Sequence, residues 1–308
     1  MEKMNREEIK QKLWSIKNNS QYVRVNETHS LELYLGKNEK GFLTLRYNGD
    51  FQPIKIIGSG LLEVKQVKTS IYYSLMFCYT SNENLSLFFN FCEDIISQTE
   101  KYKGKDGYHE IINRYSQWRK MFFGGVKVLN ENEVMGLIGE LLFLKNYVFP
   151  KYGESVGLNG WSGPEPTHKD FSYDDEWFEI KTMNSSRDSI SVSSIEQLDS
   201  ISEGRLVVFA LEKMSPSFSG INLNDLVIEI SFKLEYEIEK DVFLEKLKQV
   251  GYSFNELYNN YMYNLISCDT YLVMDGFPRI KAEGLPLGVI KIHYDLLLSS
   301  IEQFKEKR

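Results

Sequence analysis

Residues 167–182, THKDFSYDDEWFEIKT, constrain this chain more than any other stretch. Two short apolar runs flank a polar turn, which predicts a β-hairpin. A turn centred on Asp174 and Asp175 fixes the register. Tyr173 then opposes Glu176, Ser172 opposes Trp177, Phe171 opposes Phe178, and Asp170 opposes Glu179. Side chains alternate along a strand, so Glu179 and Lys181 share one face while Phe178 and Ile180 point the other way, into a core. Opposed residues lie about 5 Å apart, and like charges there destabilise the pair. Two facing carboxylates call for a cation between them, and Mg²⁺ takes hard oxygen ligands of this kind. Metal-bound water is acidified and can attack phosphorus. Lys181 would place a fixed positive charge beside the charge developing there, or orient the attacking water.

Glu-x-Lys alone is a weak signal, because it recurs at Glu8-Ile9-Lys10 and Glu63-Val64-Lys65. The first has no acid upstream and falls on a predicted helix, where it is an ordinary surface pattern. The second follows Asp50 by thirteen residues, but only hairpin-like sequence precedes it, and the solvent face of a strand accounts for Glu63. Ahead of Glu179 stands a different kind of segment. Asn130 and Glu133 have capping-box spacing, and Val134, Leu137, Ile138, Leu141 and Leu142 follow helical periodicity to about Phe149. Gly136 and Gly139 lower helix propensity there, which predicts close packing against another backbone. Glu140 lies at the edge of the apolar stripe of GLIGELLFL. A carboxylate there needs water, a cation or a metal; from the helix alone, a snorkelling surface side chain is the simpler reading.

The remaining chain is mixed. Residues 5–17 predict an amphipathic helix with Ile9, Leu13 and Ile16 on one side. From Tyr22 to about Met76 the pattern alternates, with Leu31, Leu33 and Leu35 joined through GKNEKG to Leu43, Leu45 and Tyr47 as a hairpin. Helices are expected at 85–99 and 107–123. After Lys181, SISVSS alternates as a strand, and Ser193 with Glu196, or Ser194 with Gln197, could form a capping box that opens a helix. RLVVFA at 205–210 reads as a buried strand. Helices follow at about 223–239 and 241–250, strands at 261–274 and 287–294, and an amphipathic helix at 295–305. This predicts a β-rich N-terminal module ending in helices, residues 1–128, and an α/β domain with a mixed sheet, residues 129–308, so that the chain is α+β overall.

Composition removes several classes. Three widely spaced cysteines, Cys78, Cys92 and Cys268, and four histidines argue against a zinc site and suit a reducing cytosol. No apolar run reaches the ~18 residues of a membrane span, and the charged N-terminus lacks a signal-peptide core. A cytoplasmic location is expected, with no membrane partner. The formal charge of −7 excludes a general polycation but not a local patch. Residues 101–127 carry seven basic residues against two acidic ones, with Tyr102, Tyr108, Tyr115 and Trp118 interleaved. That pattern could track a phosphate backbone; a solvated helix face with its aromatics packed inward is the favoured reading.

Glu140, Asp170 and Glu179-Ile180-Lys181 resemble the active site of the PD-(D/E)XK nuclease superfamily. The pieces YSQWRKMF, GLIGELLFL, THKDF, WFEIKT, ISVSSIEQL and DGFPRI, spread over Tyr115 to Ile280, resemble an uncharacterised bacterial family of PD-(D/E)XK motif proteins found beside restriction and phage-defence genes. Lys169 stands where the motif's name has proline. The resemblance implies a restriction-endonuclease-like mixed sheet of about four strands flanked by helices, a metal-dependent endonuclease that hydrolyses double-stranded DNA with Mg²⁺ (Mn²⁺ can substitute), and a role as the cleavage component of a defence system with other subunits, or as a homodimer. It implies Asp170, Glu179, the Ile180 carbonyl and Glu140 as metal ligands and Lys181 as the transition-state cation. Gln197 falls where some relatives carry a further active-site residue. His168 reads as packing or substrate-side contact rather than a base. The alternative is a nuclease fold kept as a catalytically silent or partner-dependent subunit that binds DNA or protein. The −7 charge implies weak non-specific DNA affinity and a shallow salt dependence.

Overall fold

In the computed structural model, residues 4–119, 121, 128–162, 169–174, 176–200, 202–283, 285–289 and 291–306 are described. The chain divides into two units, Met1–Val126 with Ser253–Glu256, and Lys127–Tyr252 with Leu257–Arg308.

The first unit begins with helix α1 (Arg6–Ser15). The Asn5 side chain accepts from the Glu8 N–H and the Glu8 carboxylate from the Asn5 N–H, a reciprocal cap that fixes the helix start. Strands β1 (Tyr22–Arg24), β2 (Glu32–Lys37), β3 (Leu43–Gly49), β4 (Leu62–Lys68) and β5 (Tyr73–Tyr79) follow, then helices α2 (Leu85–Thr99) and α3 (Gly104–Arg119). The strands form one antiparallel sheet in the order β1-β2-β3-β5-β4. The alternating leucines do what their period demands: Leu33, Leu35 and Leu45 are buried, with Leu35 directly opposite Leu45. Phe77 packs on Phe91 of α2 and Tyr115 of α3. In the basic stretch Tyr108, Tyr115 and Trp118 are buried while Lys101, Lys103 and Lys105 are exposed. Arg114 is tied to Asp94, so the favoured reading of a solvated helix face holds. Lys120 and Lys127 lie outside the described residues. Glu63 sits partly exposed on β4, 3.4 Å from Lys65, an ordinary strand-surface pair.

The second unit opens with α4 (Glu131–Phe143), capped reciprocally by Asn130 and Glu133. A π-helical turn (Leu144–Val148), α5 (Phe149–Tyr152) and α6 (Glu154–Gly160) lead to β6 (Phe171–Ser172) and β7 (Trp177–Asn184). Then come β8 (Ser189–Val192), β9 (Gly204–Met214), α7 (Leu223–Lys233), α8 (Glu237–Gln249), β10 (Met262–Val273) and β11 (Tyr294–Leu297). The central sheet runs β10-β9-β7-β6. β7 pairs parallel with β9, and both remaining pairs are antiparallel. The expected four-stranded mixed sheet flanked by helices is therefore present. One face of β7 and β9, with Phe178, Ile180, Val207 and Phe209, packs against Val134, Ile138 and Leu141 of α4, Leu226 and Ile230 of α7 and Phe243 of α8. The other face, with Trp177, Met183, Leu206 and Val208, packs against Ile190, Val192, Leu198, Phe277 and Leu296.

Several expectations fail, among them the single helix over 223–239, which ends at Lys233 before α8 begins at Glu237. Residues 295–305 are not an amphipathic helix: β11 pairs with β8, placing buried Leu296 opposite Ile190, and two 3₁₀ turns follow. The apolar spacing there serves a strand partner more than a hundred residues away in sequence. The strand expected at 287–294 begins only at Tyr294. Neither capping box forms after Val192, where the chain makes only a 3₁₀ turn, Ile195–Gln197, with no side-chain cap. Of the two glycines in α4, only Gly139 answers to close packing. A Cβ there would meet Thr182 Oγ1 of β7 at 1.9 Å, whereas one on Gly136 would meet nothing. Gly139 thus lets α4 lie directly on the strand that carries Glu179 and Lys181.

Candidate active site

The hairpin has the register that counting gives. Phe171 faces Phe178 and Ser172 faces Trp177, and Tyr173 N–H donates to the Glu176 carbonyl at 2.8 Å. The ladder stops at Phe171, one residue short of Asp170. There the Asp170 side chain takes over: its Oδ2 accepts from Ile180 N–H at 2.7 Å. In a strand the N–H and C=O of one residue leave on the same side, so the Ile180 carbonyl is also directed to the Asp170 side of β7. Asp175, in the expected turn, and His168 lie outside the described residues.

Glu179 is 1% exposed, on the sheet face expected for it. Its Oε1 lies 3.0 Å from Lys181 Nζ as an ion pair, yet among the described residues neither carboxylate oxygen has an aligned hydrogen bond. Such a carboxylate is costly unless protonated or given a cation. Burial pushes its pKa well above the ordinary range, the charge of Asp170 adds to the effect, and Lys181 and Lys169 oppose it. Glu140 is not a snorkelling surface group. Its Oε2 accepts from Trp161 Nε1 at 2.8 Å, and Trp161 is fully buried. Burial raises the Glu140 pKa to about 8, again helped by Asp170 and opposed by Trp161 and Lys181. Burial likewise raises Asp170, against the Ile180 N–H, Lys181 and Lys169. Asp170 thus acts on both glutamates, and Lys181 is the counter-charge common to all three acids.

Lys181 is held in turn. Its Nζ donates to Gln197 Oε1 at 3.0 Å, and the same oxygen accepts from Ser193 N–H at 2.7 Å. The side chain of Gln197, expected either in a cap or in the site, is turned to Lys181 and caps no helix. What positions Gln197 was not visible from sequence. Lys169 Nζ donates to the carbonyls of Glu196, Gln197 and Asp199 at 2.6, 2.8 and 3.3 Å, and lies 3.7 Å over the Trp177 ring. Arg279, from the DGFPRI segment, donates to the carbonyls of Leu198 and Ser200. Two cations therefore grip the backbone of the turn whose glutamine orients Lys181. The one available signal was a lysine next to Asp170, and nothing local says that it reaches back to residues 196–199.

Among the described residues, no three acidic, histidine or cysteine side chains close into a ready-made metal cage. The donor set nevertheless suits a hard divalent cation. Asp170 uses one oxygen on Ile180 N–H and Glu140 one on Trp161. That leaves one oxygen on each, the Ile180 carbonyl and the orphaned Glu179 carboxylate. These are oxygen ligands of the type Mg²⁺ takes, with room for waters. The Lys181 ammonium alone does not offset three carboxylates.

An acid at the mouth of a short hairpin, Glu-x-Lys on the central strand of a mixed sheet, and a further acid on the helix packed beneath it define the PD-(D/E)XK class, with its restriction-endonuclease-like fold. The chain belongs to the family described as "Putative PD-(D/E)XK family member, (DUF4420)", which it matches over residues 2–299. No curated protein and no solved structure matches it. No helix among the described residues is long and apolar enough to cross a membrane.

Proposed function

We propose that this protein is a metal-dependent endonuclease that hydrolyses phosphodiester bonds in double-stranded DNA, acting in the bacterial cytoplasm as the cleavage component of a restriction or phage-defence system, with partner subunits or as a homodimer. The observation that carries this reading is the Glu179 carboxylate: almost fully buried, without an aligned hydrogen bond among the described residues, beside Asp170 and ion-paired to Lys181. A side chain kept there at such cost makes sense as a metal ligand.

Asp170, Glu179 and the Ile180 carbonyl would hold the cation, with Glu140 joining directly or through a water. Bound Mg²⁺ or Mn²⁺ would supply an acidified water and an electrophile for a phosphate oxygen. The chain's own residues do the rest. Lys181, aimed by Gln197, sets a fixed positive charge beside the attacked phosphorus, where negative charge grows on the oxygens in the transition state. Trp161 fixes the Glu140 carboxylate, and the Ile180 N–H fixes Asp170. The overall charge of −7 makes partner proteins the natural means of delivering DNA.

Because ligands must lose their protons to bind metal, and all three acids hold theirs above the ordinary carboxylate range, metal uptake must release protons. Calorimetric titration with Mg²⁺ in buffers of different ionisation enthalpy is expected to show net proton release and an affinity that rises from pH 6 to pH 9. Asp170→Asn should abolish the binding. Absence of any Mg²⁺ or Mn²⁺ binding would favour the silent, scaffold-like subunit instead.

A further inference from the structure

The five-stranded sheet of the first unit has two unlike faces. One carries Tyr47, Phe77 and Tyr79, which pack on Phe51, Phe88, Phe91 and Tyr115. The pairing registers show what crosses the other. Arg24 faces Tyr34, Tyr34 faces Arg46, Arg46 faces Met76 and Met76 faces Lys65. Directly opposed residues project on the same face, so Arg24, Tyr34, Arg46, Met76 and Lys65 form a single row across all five strands. At ~4.8 Å per strand the row is about 19 Å long. Each of its members is partly exposed.

The charges of this row are not matched in the way surface charges usually are. Lys65 has Glu63 at 3.4 Å. Among the described residues Arg46 has no carboxylate partner: its guanidinium donates to Asn48 Oδ1 at 2.8 Å, to Ser74 Oγ at 2.9 and 3.2 Å and to Tyr72 OH at 3.4 Å, and lies 5.1 Å over the Tyr22 ring. These are neutral partners that fix its plane and leave its charge intact. The Arg24 side chain makes no hydrogen bond or ion pair among the described residues, and its Nε is buried without a partner. An unpaired buried guanidinium nitrogen is costly. Two arginines lacking a counter-ion thus flank one tyrosine, in a chain whose formal charge is −7. Glu32 is on the same face but opposite Asn48, in the neighbouring row.

We propose that this face binds a nucleic-acid strand, with phosphates on Arg24 and Arg46 and a base stacked on Tyr34. Guanidinium forks match phosphate oxygens. A base on an aromatic ring between two cations is the sequence-tolerant way in which single strands are held. With only two phosphates engaged, binding is weak and its salt dependence shallow. The inference is independent of the chemistry at Asp170 and Glu179.

The test uses the full chain in the presence of a metal chelator and reads the anisotropy of a fluorescein-labelled thymidine oligonucleotide between 50 and 200 mM salt. Each of Arg24→Gln and Arg46→Gln is expected to weaken binding and to lower the log–log salt slope by about 0.7, the contribution of one single-strand phosphate. Tyr34→Ser should weaken binding at least about fivefold, the loss of one stacked base, with the slope unchanged. Arg24→Gln breaks no side-chain bond among the described residues, so it reports even if Arg46→Gln misfolds. Unchanged affinity and slope in Arg24→Gln overturn the proposal. So does labelled polyglutamate binding the wild type as tightly as the oligonucleotide with the same dependence on Arg24, which would assign the face to an acidic protein instead. Unchanged binding alongside intact plasmid cleavage sinks only this inference, whereas arginine-dependent binding by a protein that never cuts DNA sinks only the nuclease reading.

Discussion

Glu179→Gln is expected to lower DNA cleavage by a factor on the order of 10³, because it removes the charge from the carboxylate proposed above as a metal ligand, an interaction worth several kcal/mol to the transition state. The same substitution should leave the metal-free protein at least as stable as the wild type. Among the described residues Glu179 is 1% exposed with no aligned hydrogen bond to either oxygen, so without metal the cost of burying its charge offsets what the Lys181 ion pair contributes. The sign of the pH dependence follows from the direction of the shifts. Glu179, Asp170 and Glu140 all have pKa values raised by burial, Glu140 to about 8. Between the ordinary carboxylate value and those raised values the folded chain holds more protons than the unfolded one. Stability is therefore full below the unfolded pKa and declines as pH rises through the window towards about 8. Melting curves of metal-free wild type should shift to lower temperature from pH 5 to pH 8, and those of Glu179→Gln should shift less. Added Mg²⁺ should restore the wild type at pH 8 and do little for the variant. A variant that melts well below the wild type at pH 8 without metal would show that Glu179 serves the fold rather than a ligand.

Lys181→Ala carries the second large effect. Lys181 is the positive charge shared by all three acids and the only side chain ion-paired to Glu179 among the described residues. At saturating Mg²⁺, single-turnover cleavage is expected to fall about 10²–10³-fold, the scale for losing one preorganised charge stabiliser. Lys181→Arg should recover only part of it, because a planar fork does not reproduce a compact ammonium in a position that is 14% exposed and set by Gln197 Oε1. Gln197→Ala, which leaves the charge but frees its direction, should fall between the two. Equal rates for wild type and Lys181→Ala would remove the lysine from the mechanism.

What was legible from the residues is what local patterns encode. The turn and period two set the hairpin register, and with it the juxtaposition of Asp170 and Glu179. The Asn130 and Glu133 spacing set the start of α4, and its period set the placement of Glu140 at the edge of the apolar stripe. The parts that were missed depend on contacts distant in sequence. Residues 295–305 have helical spacing, but the partner that decides their state is β8. Ser193, Ser194 and Gln197 have the composition of a cap, yet Gln197 is drawn to Lys181 and the turn to Lys169 and Arg279. Gly136 and Gly139 look alike in sequence; only the position of Thr182 on the neighbouring strand separates them. Arg24 and Arg46 likewise show nothing in sequence until the registers place them on one row.

The most direct test of the site is conversion of supercoiled plasmid by the purified chain. Wild type with Mg²⁺ is expected to yield nicked or linear DNA, a chelator to stop it, and Asp170→Asn to leave the plasmid supercoiled under the same conditions. Cleavage that persists in chelator, or that Asp170→Asn performs at the wild-type rate, would contradict the account.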